Sequence, residues 1–469
     1  MPRSLNSGWG LLWVVGIVLC FAACAPSGTT FRATPLPVLT SAPVYTAVPT
    51  STPRPPTATL TPTLTPSSTP TTPPTATFTA SPTLTFTPVP TQPLFTLTPP
   101  ANSGAVEPFE GGAAPLTAAE GWSCDDFPCA DDLDGWLRRI QVPNGYHVEH
   151  VGRFPGQPLQ ITYGRDGRLY ATVLEDGTRN GAVYAMNPDG TTERYAGDFV
   201  SPFGLAFQPG TDTLYVSGRV TLEDGGGVWR VDPDGQITPV ITDLPCCFML
   251  IDNQPNGMIF GADGYLYVGV GALSDHGENG IRSTQGVVSL QPNEASVLRV
   301  QPHTGEYTVY AQGIRNPVDL ALDSMGALYA TDSGLLTGQG DRLLRLTAGG
   351  HFGFPYWRNR GCEECAIKPA IIDAQPDLVT FAPYSLPRGV VAYTGGAYPS
   401  NLFDHLFVAL WNGIAGAQQI VRIDPANPTP EAFVTGLIRP IDVALTPDGE
   451  LVVADYVYGQ VWRVVYDPV

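Results

Sequence analysis

The sequence predicts an all-β chain: a six-bladed β-propeller preceded by a disordered Pro/Thr-rich linker. Three observations predict it. An alternating apolar strand entered through a turn recurs six times, as DGRLYATV (166–173), DTLYVSGR (212–219), DGYLYVGV (263–270), GALYATD (326–332), DHLFVAL (404–410) and DGELVVAD (448–455). Each is followed by a second strand of one type: GAVYAMNPDG, GVWRVDPDG, SVLRVQPHTG, DRLLRL, QIVRIDP and QVWRVV. Units repeating about every 45–80 residues are the mark of a propeller. No stretch carries a long 3.6-residue period, which argues against a TIM barrel or a Rossmann fold.

The chain divides into three parts. Residues 1–23 read as a lipoprotein signal peptide. Arg3 is the basic n-region, Trp9–Ala22 the apolar core, and Phe21-Ala22-Ala23-Cys24 resembles a bacterial lipobox, so Cys24 is the expected lipidation site. The apolar run is short and broken by glycine, so the expected membrane attachment is through lipid alone. Residues 24–119 are a linker that has almost no charge and cannot bury a core. The fully extended polyproline reach of its Pro/Thr-rich stretch, residues 26–100, is on the order of 200 Å. Residues 120–469 are the propeller.

The net charge is −19 and the pI about 4.6. Such acidity argues against nucleic acid and against an anionic lipid surface as partners. The 51 glycines and 48 prolines supply the turns of an all-β domain. The expected location is extracytoplasmic, lipid-anchored at the cell surface or in a periplasm. Beyond Cys20 and Cys24 there are six cysteines: Cys124, Cys129, Cys246, Cys247, Cys362 and Cys365. An even number in an exported domain argues for disulfides, with fifteen connectivities open to six cysteines. Cys124/Cys129 and Cys362/Cys365 are local candidates. Cys246-Cys247 would form a vicinal bridge or pair elsewhere.

The chemically unusual stretch is Gly313–Trp357. Arg315-Asn316 lies in a turn before a strand, and the next strand runs into Asp332-Ser333-Gly334. Polar groups at strand ends are held rigidly, as a site requires.

Several blocks resemble the glucose/sorbosone dehydrogenase family, soluble quinoprotein sugar dehydrogenases with six-bladed propellers. They are NGMIFGADGYLYVGVG, GIRNP, ALYATDSG, GGHFGFP, YTGGAYP and RPIDVALTPDG. The resemblance implies pyrroloquinoline quinone (PQQ) and calcium as cofactors and a small sugar or aldose as substrate. It implies that Arg315 and Asn316 contact the quinone's carboxylates and carbonyl oxygens, Arg315 also stabilising the reduced quinone. Arg439 would contact a second carboxylate and the Gly334 carbonyl would bind calcium. Asp252 matches the acid before the family's catalytic base.

The chain also departs from the pattern. The base, a histidine in the family, is Asn253, which has no proton-accepting nitrogen. Val318, Leu335 and Ile441 replace a glutamine, a proline and a second arginine. Asp252 with a raised pKa, or His276 from the loop SDHGENG, would be the substitutes for the base. The alternative function is a catalytically silent propeller that binds carbohydrate or protein.

Overall fold

The computed structural model describes residues 127–468 except 176–179, 223–224, 248–253, 274–289, 335–339, 356–372 and 413–416. The recurring sequence units become the second and third strands of six antiparallel blades. Blade 1 is β2 (Gln157–Tyr163), β3 (Leu169–Leu174), β4 (Asn180–Met186) and β5 (Thr192–Val200). Blade 2 is β6 (Leu205–Phe207), β7 (Leu214–Arg219), β8 (Gly226–Val231) and β9 (Ile237–Leu244). Blade 3 is β10 (Pro255–Phe260), β11 (Leu266–Val270), β12 (Ser296–Val300) and β13 (Tyr307–Gln312). A short strand, β17 (Gly350–His351), joins its outer edge in parallel. Blade 4 is β14 (Pro317–Leu322), β15 (Leu328–Asp332), β16 (Gly340–Leu346) and β18 (Val379–Pro383). Blade 5 is β19 (Pro387–Ala392), β20 (Leu406–Leu410), β21 (Gln419–Asp424) and β22 (Asn427–Val434).

Blade 6 closes the ring. Its strands β23 (Pro440–Leu445), β24 (Leu451–Asp455) and β25 (Gln460–Tyr466) come from the C-terminus, and its outer strand is β1 (Tyr146–Arg153). The β1–β25 register runs antiparallel from Tyr146↔Tyr466 to Arg153↔Gln460. Pairing the two ends of the domain leaves no open sheet edge at the seam, where an edge would template further pairing. The inner strands β2, β6, β10, β14, β19 and β23 each touch the next, and β23 touches β2, so the ring is complete.

The D-G-x-L-Y texture has a physical cause. In blades 1, 3 and 4 the turn aspartate accepts a hydrogen bond from the tyrosine of the strand it feeds: Asp166 from Tyr170 (2.7 Å), Asp263 from Tyr267 (3.0 Å) and Asp323 from Tyr329 (3.0 Å). The same carboxylates accept backbone N–H groups of their own turns. One carboxylate therefore fixes both turn and strand, and a buried tyrosine hydroxyl is satisfied.

Ahead of β1, helix α1 (Leu133–Arg139) is capped by Asp132, whose carboxylate accepts Gly135 N–H at 2.8 Å. Its buried Trp136 packs on Tyr458 and Trp462 of blade 6, and the indole N–H donates to Cys129 O at 2.9 Å. The expected all-β architecture and six units are present, and the additions among the described residues are this helix and a short 3-10 turn at Ser400–Leu402.

Candidate functional site

The first strand of every blade begins on one pattern, Pro-x-X followed by an apolar residue. The six versions are Pro158-Leu-Gln160, Pro202-Phe-Gly204, Pro255-Asn-Gly257, Pro317-Val-Asp319, Pro387-Arg-Gly389 and Pro440-Ile-Asp442. The residues before these prolines form one mouth of the central channel. In blades 4, 5 and 6 this rim is rich in buried arginine.

In blade 4 the turn that carries Arg315 and Asn316 is anchored from below. Asp332, at the end of β15, accepts the Asn316 N–H at 2.9 Å. The buried Arg342 binds Asp332 through Nε at 2.9 Å and donates to the Phe352 and Gly313 carbonyls. Gly313 sits at φ +75°, and a Cβ there would lie 2.5 Å from the His351 ring, so the turn needs glycine. Arg315 is 4% exposed and donates from Nη1 to Ser333 O at 3.2 Å. The Asn316 side-chain oxygen accepts from Asn256 at 2.7 Å, which ties blade 4 to blade 3.

Blade 6 repeats the device. Asp455, at the end of β24, accepts the Ile438 N–H at 2.7 Å and the Arg439 N–H at 3.2 Å. The Arg439 guanidinium is buried, donates to Trp411 O at 3.2 Å and lies 5.9 Å from the Trp411 ring. Burial and the nearby Arg388 lower its pKa to about 10, with Asp455 opposing.

Blade 5 supplies residues that the sequence alone did not single out. Arg388, 1% exposed, stands 5.3 Å from the Trp411 ring. Trp411 is buried, packs edge-on against Tyr456, and its indole N–H meets no hydrogen-bond partner among the described residues. Asp341 connects blades 4 and 5: it accepts the Gly334 and Leu386 N–H groups, the second at 2.7 Å. Burial raises its pKa to about 6, while Arg315 pulls it down.

Thus Arg315, Asn316 and Gly334 lie together in blade 4. They are joined to Arg439 through Asp341, Leu386, Arg388 and Trp411 on the same rim. Asp252, Asn253, His276 and Leu335 lie outside the described residues, as do Cys24, Cys124, Cys362 and Cys365. Gln254, next to Asn253, is buried and accepts from Arg219 at 2.7 Å. Val318 and Ile441 are buried inner-strand residues that pack in the core. Cys246 and Cys247 lie against each other as a vicinal pair. Among the described residues no group of three or more His, Cys, Asp or Glu side chains is placed to hold a metal.

Ring closure and blade order define a six-bladed propeller, with buried arginines of blades 4 to 6 at one mouth of its channel. Residues 253–463 match the Glucose / Sorbosone dehydrogenase family, in agreement with the resemblance carried by the sequence motifs. Two solved structures share the fold. PQQ-bound aldose sugar dehydrogenase of Streptomyces coelicolor is 18% identical, covers 69% of this chain and 99% of its own, and gives a TM-score of 0.51. Apo soluble aldose sugar dehydrogenase of Escherichia coli is 14% identical, covers 68% and 99%, and gives a TM-score of 0.54. A protein of Borreliella burgdorferi, described as uncharacterized, is 22% identical over 377 residues, 70% of this chain and 92% of its own.

Proposed function

We propose that this chain is an extracytoplasmic sugar dehydrogenase that uses PQQ, oxidising a sugar or aldose at the arginine-rich mouth. The observation that carries the reading is the convergence of Arg315, Arg388 and Arg439 on one buried rim beside an indole N–H that meets no partner among the described residues. Buried cations and an unmatched donor suit a planar, multiply anionic ligand, because guanidinium forks match carboxylates. The residues present therefore fit the quinone. When bound, the quinone supplies a two-electron acceptor for hydride.

In this reading the chain's residues bind, orient and exclude water. Arg315 and Arg439 hold carboxylates from blades 4 and 6, and Arg388 closes the rim between them. Asn316, fixed by Asp332 and Asn256, presents an amide to a carbonyl oxygen. Burial strengthens each contact, since it removes competing water. The Gly334 carbonyl, next to an N–H already held by Asp341, is the proposed calcium ligand. Asn253 stands where the family keeps its base, so Asp252 or His276 would take the hydroxyl proton, and turnover is expected to be slow.

The test is calorimetric titration of the purified full chain with PQQ, with and without calcium, followed by a sugar panel with an artificial acceptor. Saturable binding that is lost in Arg315→Ala supports the reading. No binding in either case rejects it in favour of a silent binding propeller. The leader and Cys24 support a lipid anchor, and fatty-acid labelling of the wild type but not of Cys24→Ser is the expected result. The cysteines of an exported domain are expected to be oxidised, Cys246 to Cys247 among them, and thiol titration before and after reduction tests this.

A further inference from the structure

Below the mouth, the third residue of the Pro-x-X pattern forms a polar layer across the channel. Each polar member accepts the backbone N–H of the next blade's inner strand. Gln160 Oε1 accepts from Leu205 at 2.7 Å, Asp319 Oδ2 from Val390 at 2.8 Å and Asp442 Oδ2 from Ile161 at 2.6 Å. Glycine fills the same position in blades 2, 3 and 5. A Cβ at Gly257 would lie 2.6 Å from Asp319 Oδ1, and one at Gly389 would lie 2.0 Å from Asp442 Oδ1. The glycines thus make the room that the two aspartates occupy. Gln160 also reaches across the channel to donate from Nε2 to Asp319 Oδ1. Together these side chains border a cavity of about 440 Å³ in the channel.

The hydrogen-bond inventory assigns a proton. Both Asp319 oxygens already accept N–H donors. Asp442 Oδ1 is buried and meets no N–H or O–H donor among the described residues. The carboxyls of Asp319 and Asp442 nevertheless face each other within hydrogen-bonding reach. Two buried carboxylates cannot both be ionised at contact distance without a large cost. A proton on Asp442 Oδ1, donated to Asp319, satisfies every atom.

We propose that Asp442 carries this proton and that the Asp442–Asp319 hydrogen bond, braced by Gln160, is a channel latch. The latch fixes β23 against β14 and so positions Arg439 against Arg315 and Asn316, three to four residues upstream on the same strands. The positioning role rests on the cofactor reading above; the latch itself does not.

Burial first, then the neighbouring carboxylate, raise Asp442 well above its ordinary value, and burial raises Asp319 to about 7. A carboxyl whose folded-state pKa is raised favours folding while protonated, and that advantage is lost as pH climbs towards the folded value. Among the described residues, the other charged or titratable groups on these inner strands and just before them are Arg388 on β19, Tyr163 at the end of β2, and Arg315 and Arg439 before β14 and β23. The inner strands β6 and β10 bring none. Burial places Tyr163 at about 12, outside the relevant window.

The test compares full-length wild type, Asp442→Asn and Asp319→Asn by thermal unfolding from about pH 5 to 8, the range set by the raised carboxyls. The side-chain amide introduced by Asp442→Asn would replace the donated proton, so this variant should gain on the wild type steadily as pH rises. Asp319→Asn should be less stable at every pH, because its new NH₂ would face an N–H donor. Infrared difference spectra of the wild type should show the C=O stretch of a neutral carboxylic acid, absent in Asp442→Asn. Parallel wild-type and Asp442→Asn profiles, or no such band, would overturn the latch. PQQ affinity provides the second arm. Once pH passes the point where the latch proton is lost, wild-type affinity should fall about tenfold per pH unit relative to Asp442→Asn. If the stability profiles diverge but PQQ binds nowhere, the latch stands and the cofactor reading fails. If PQQ binds equally well to both proteins at every pH while the stability profiles diverge, the positioning role falls.

Discussion

Blades 1 to 3 and blades 4 to 6 share one backbone plan and differ in what they place at the channel. At the rim, before the inner-strand proline, blades 1 to 3 carry Gln157, Ser201 and Gln254, all neutral. The other half carries Arg315-Asn316, Leu386 and Arg439, with Arg388 just past its proline. The layer beneath repeats the asymmetry: Gln160, Gly204 and Gly257 against Asp319, Gly389 and Asp442. At these positions charge is gathered in one half of a ring whose turns and strands are nearly equivalent, while in the other half the buried Arg219 of β7 is bonded to Gln254. The repeated positions make the blades, and the unrepeated ones carry the chemistry, as expected where function is grafted on a fold.

The largest expected effect comes from adding a titratable group to the neutral half. In sequence Asn253 immediately precedes Gln254-Pro255, where β10 of blade 3 begins. General-base assistance is worth about 10²–10⁴ in rate. Asn253→His should therefore raise sugar-oxidation turnover by that order, with little change in PQQ affinity. Steady-state kinetics of both proteins loaded with PQQ decide it. Unchanged turnover would mean that the base comes from elsewhere, with Asp252→Asn and His276→Ala as the next variants to assay.

Removing charge from the other half comes second. Arg315→Ala and Arg439→Ala should each weaken PQQ binding on the order of 10–100-fold, the worth of a hydrogen bond to a charged group. Arg168→Ala serves as the control. Arg168 is bonded to Asp166 at 2.6 Å in the turn of blade 1 that enters β3, away from the rim, and its loss should leave binding unchanged. Equal losses in all three would show a net-charge effect and remove the distinction between the halves.

Much of this contrast was legible in the sequence. The six turn-strand units were legible because their spacing is local; in blades 1, 3 and 4 the turn aspartate and strand tyrosine bond within a few residues of each other. Arg315 and Asn316 stood out as a polar pair in a turn before a strand, and Arg439 through the resemblance of RPIDVALTPDG to a block of the family. Arg388 did not, because blade 5 puts its arginine after the proline, where Val318 and Ile441 are buried apolar residues. Asp319, Asp442 and Gln160 were invisible as a group. At least 159 residues separate Gln160 from its partner carboxylate, and only ring closure brings the three together. Asp341 was hidden because its partners, Gly334 N–H and Leu386 N–H, are backbone groups that no side-chain pattern records.

A smaller effect tests why blade 5 has glycine in the layer beneath the rim. A Cβ at position 389 would lie 2.5 Å from the Asp442 Cα, which is backbone and cannot step aside. Gly389→Ala should cost about 1–3 kcal/mol, the usual penalty of overpacking. In the same blade, Gly396 has nothing within 4 Å of its would-be Cβ. Gly396→Ala should be neutral or stabilising by up to about 1 kcal/mol through the unfolded chain. Denaturant titration of the two variants separates them. A neutral Gly389→Ala would mean that Asp442 is not held where the layer places it.

The smallest expected effect lies at the turn between β14 and β15, away from the mouth. There blade 4 behaves like blades 1 and 3. Met325 is 86% exposed at the tip. The turn itself is held by Asp323, whose Oδ1 accepts the Met325 and Ala327 N–H groups at 3.0 and 2.8 Å and whose Oδ2 accepts the Tyr329 hydroxyl. Ser324 adds a bond to Asp404 of the neighbouring blade at 2.6 Å. None of these contacts uses the Met325 side chain, so Met325→Ser should change stability by less than about 0.5 kcal/mol, as surface substitutions do. Asp323→Ala leaves the partly buried Tyr329 hydroxyl and two turn N–H groups without their acceptor, and should cost about 1–3 kcal/mol. Urea unfolding of the pair measures both. If Met325→Ser proved the costlier, the aspartate would not be what holds the turn, and the shared Asp–Tyr device would no longer explain why this texture recurs around the ring.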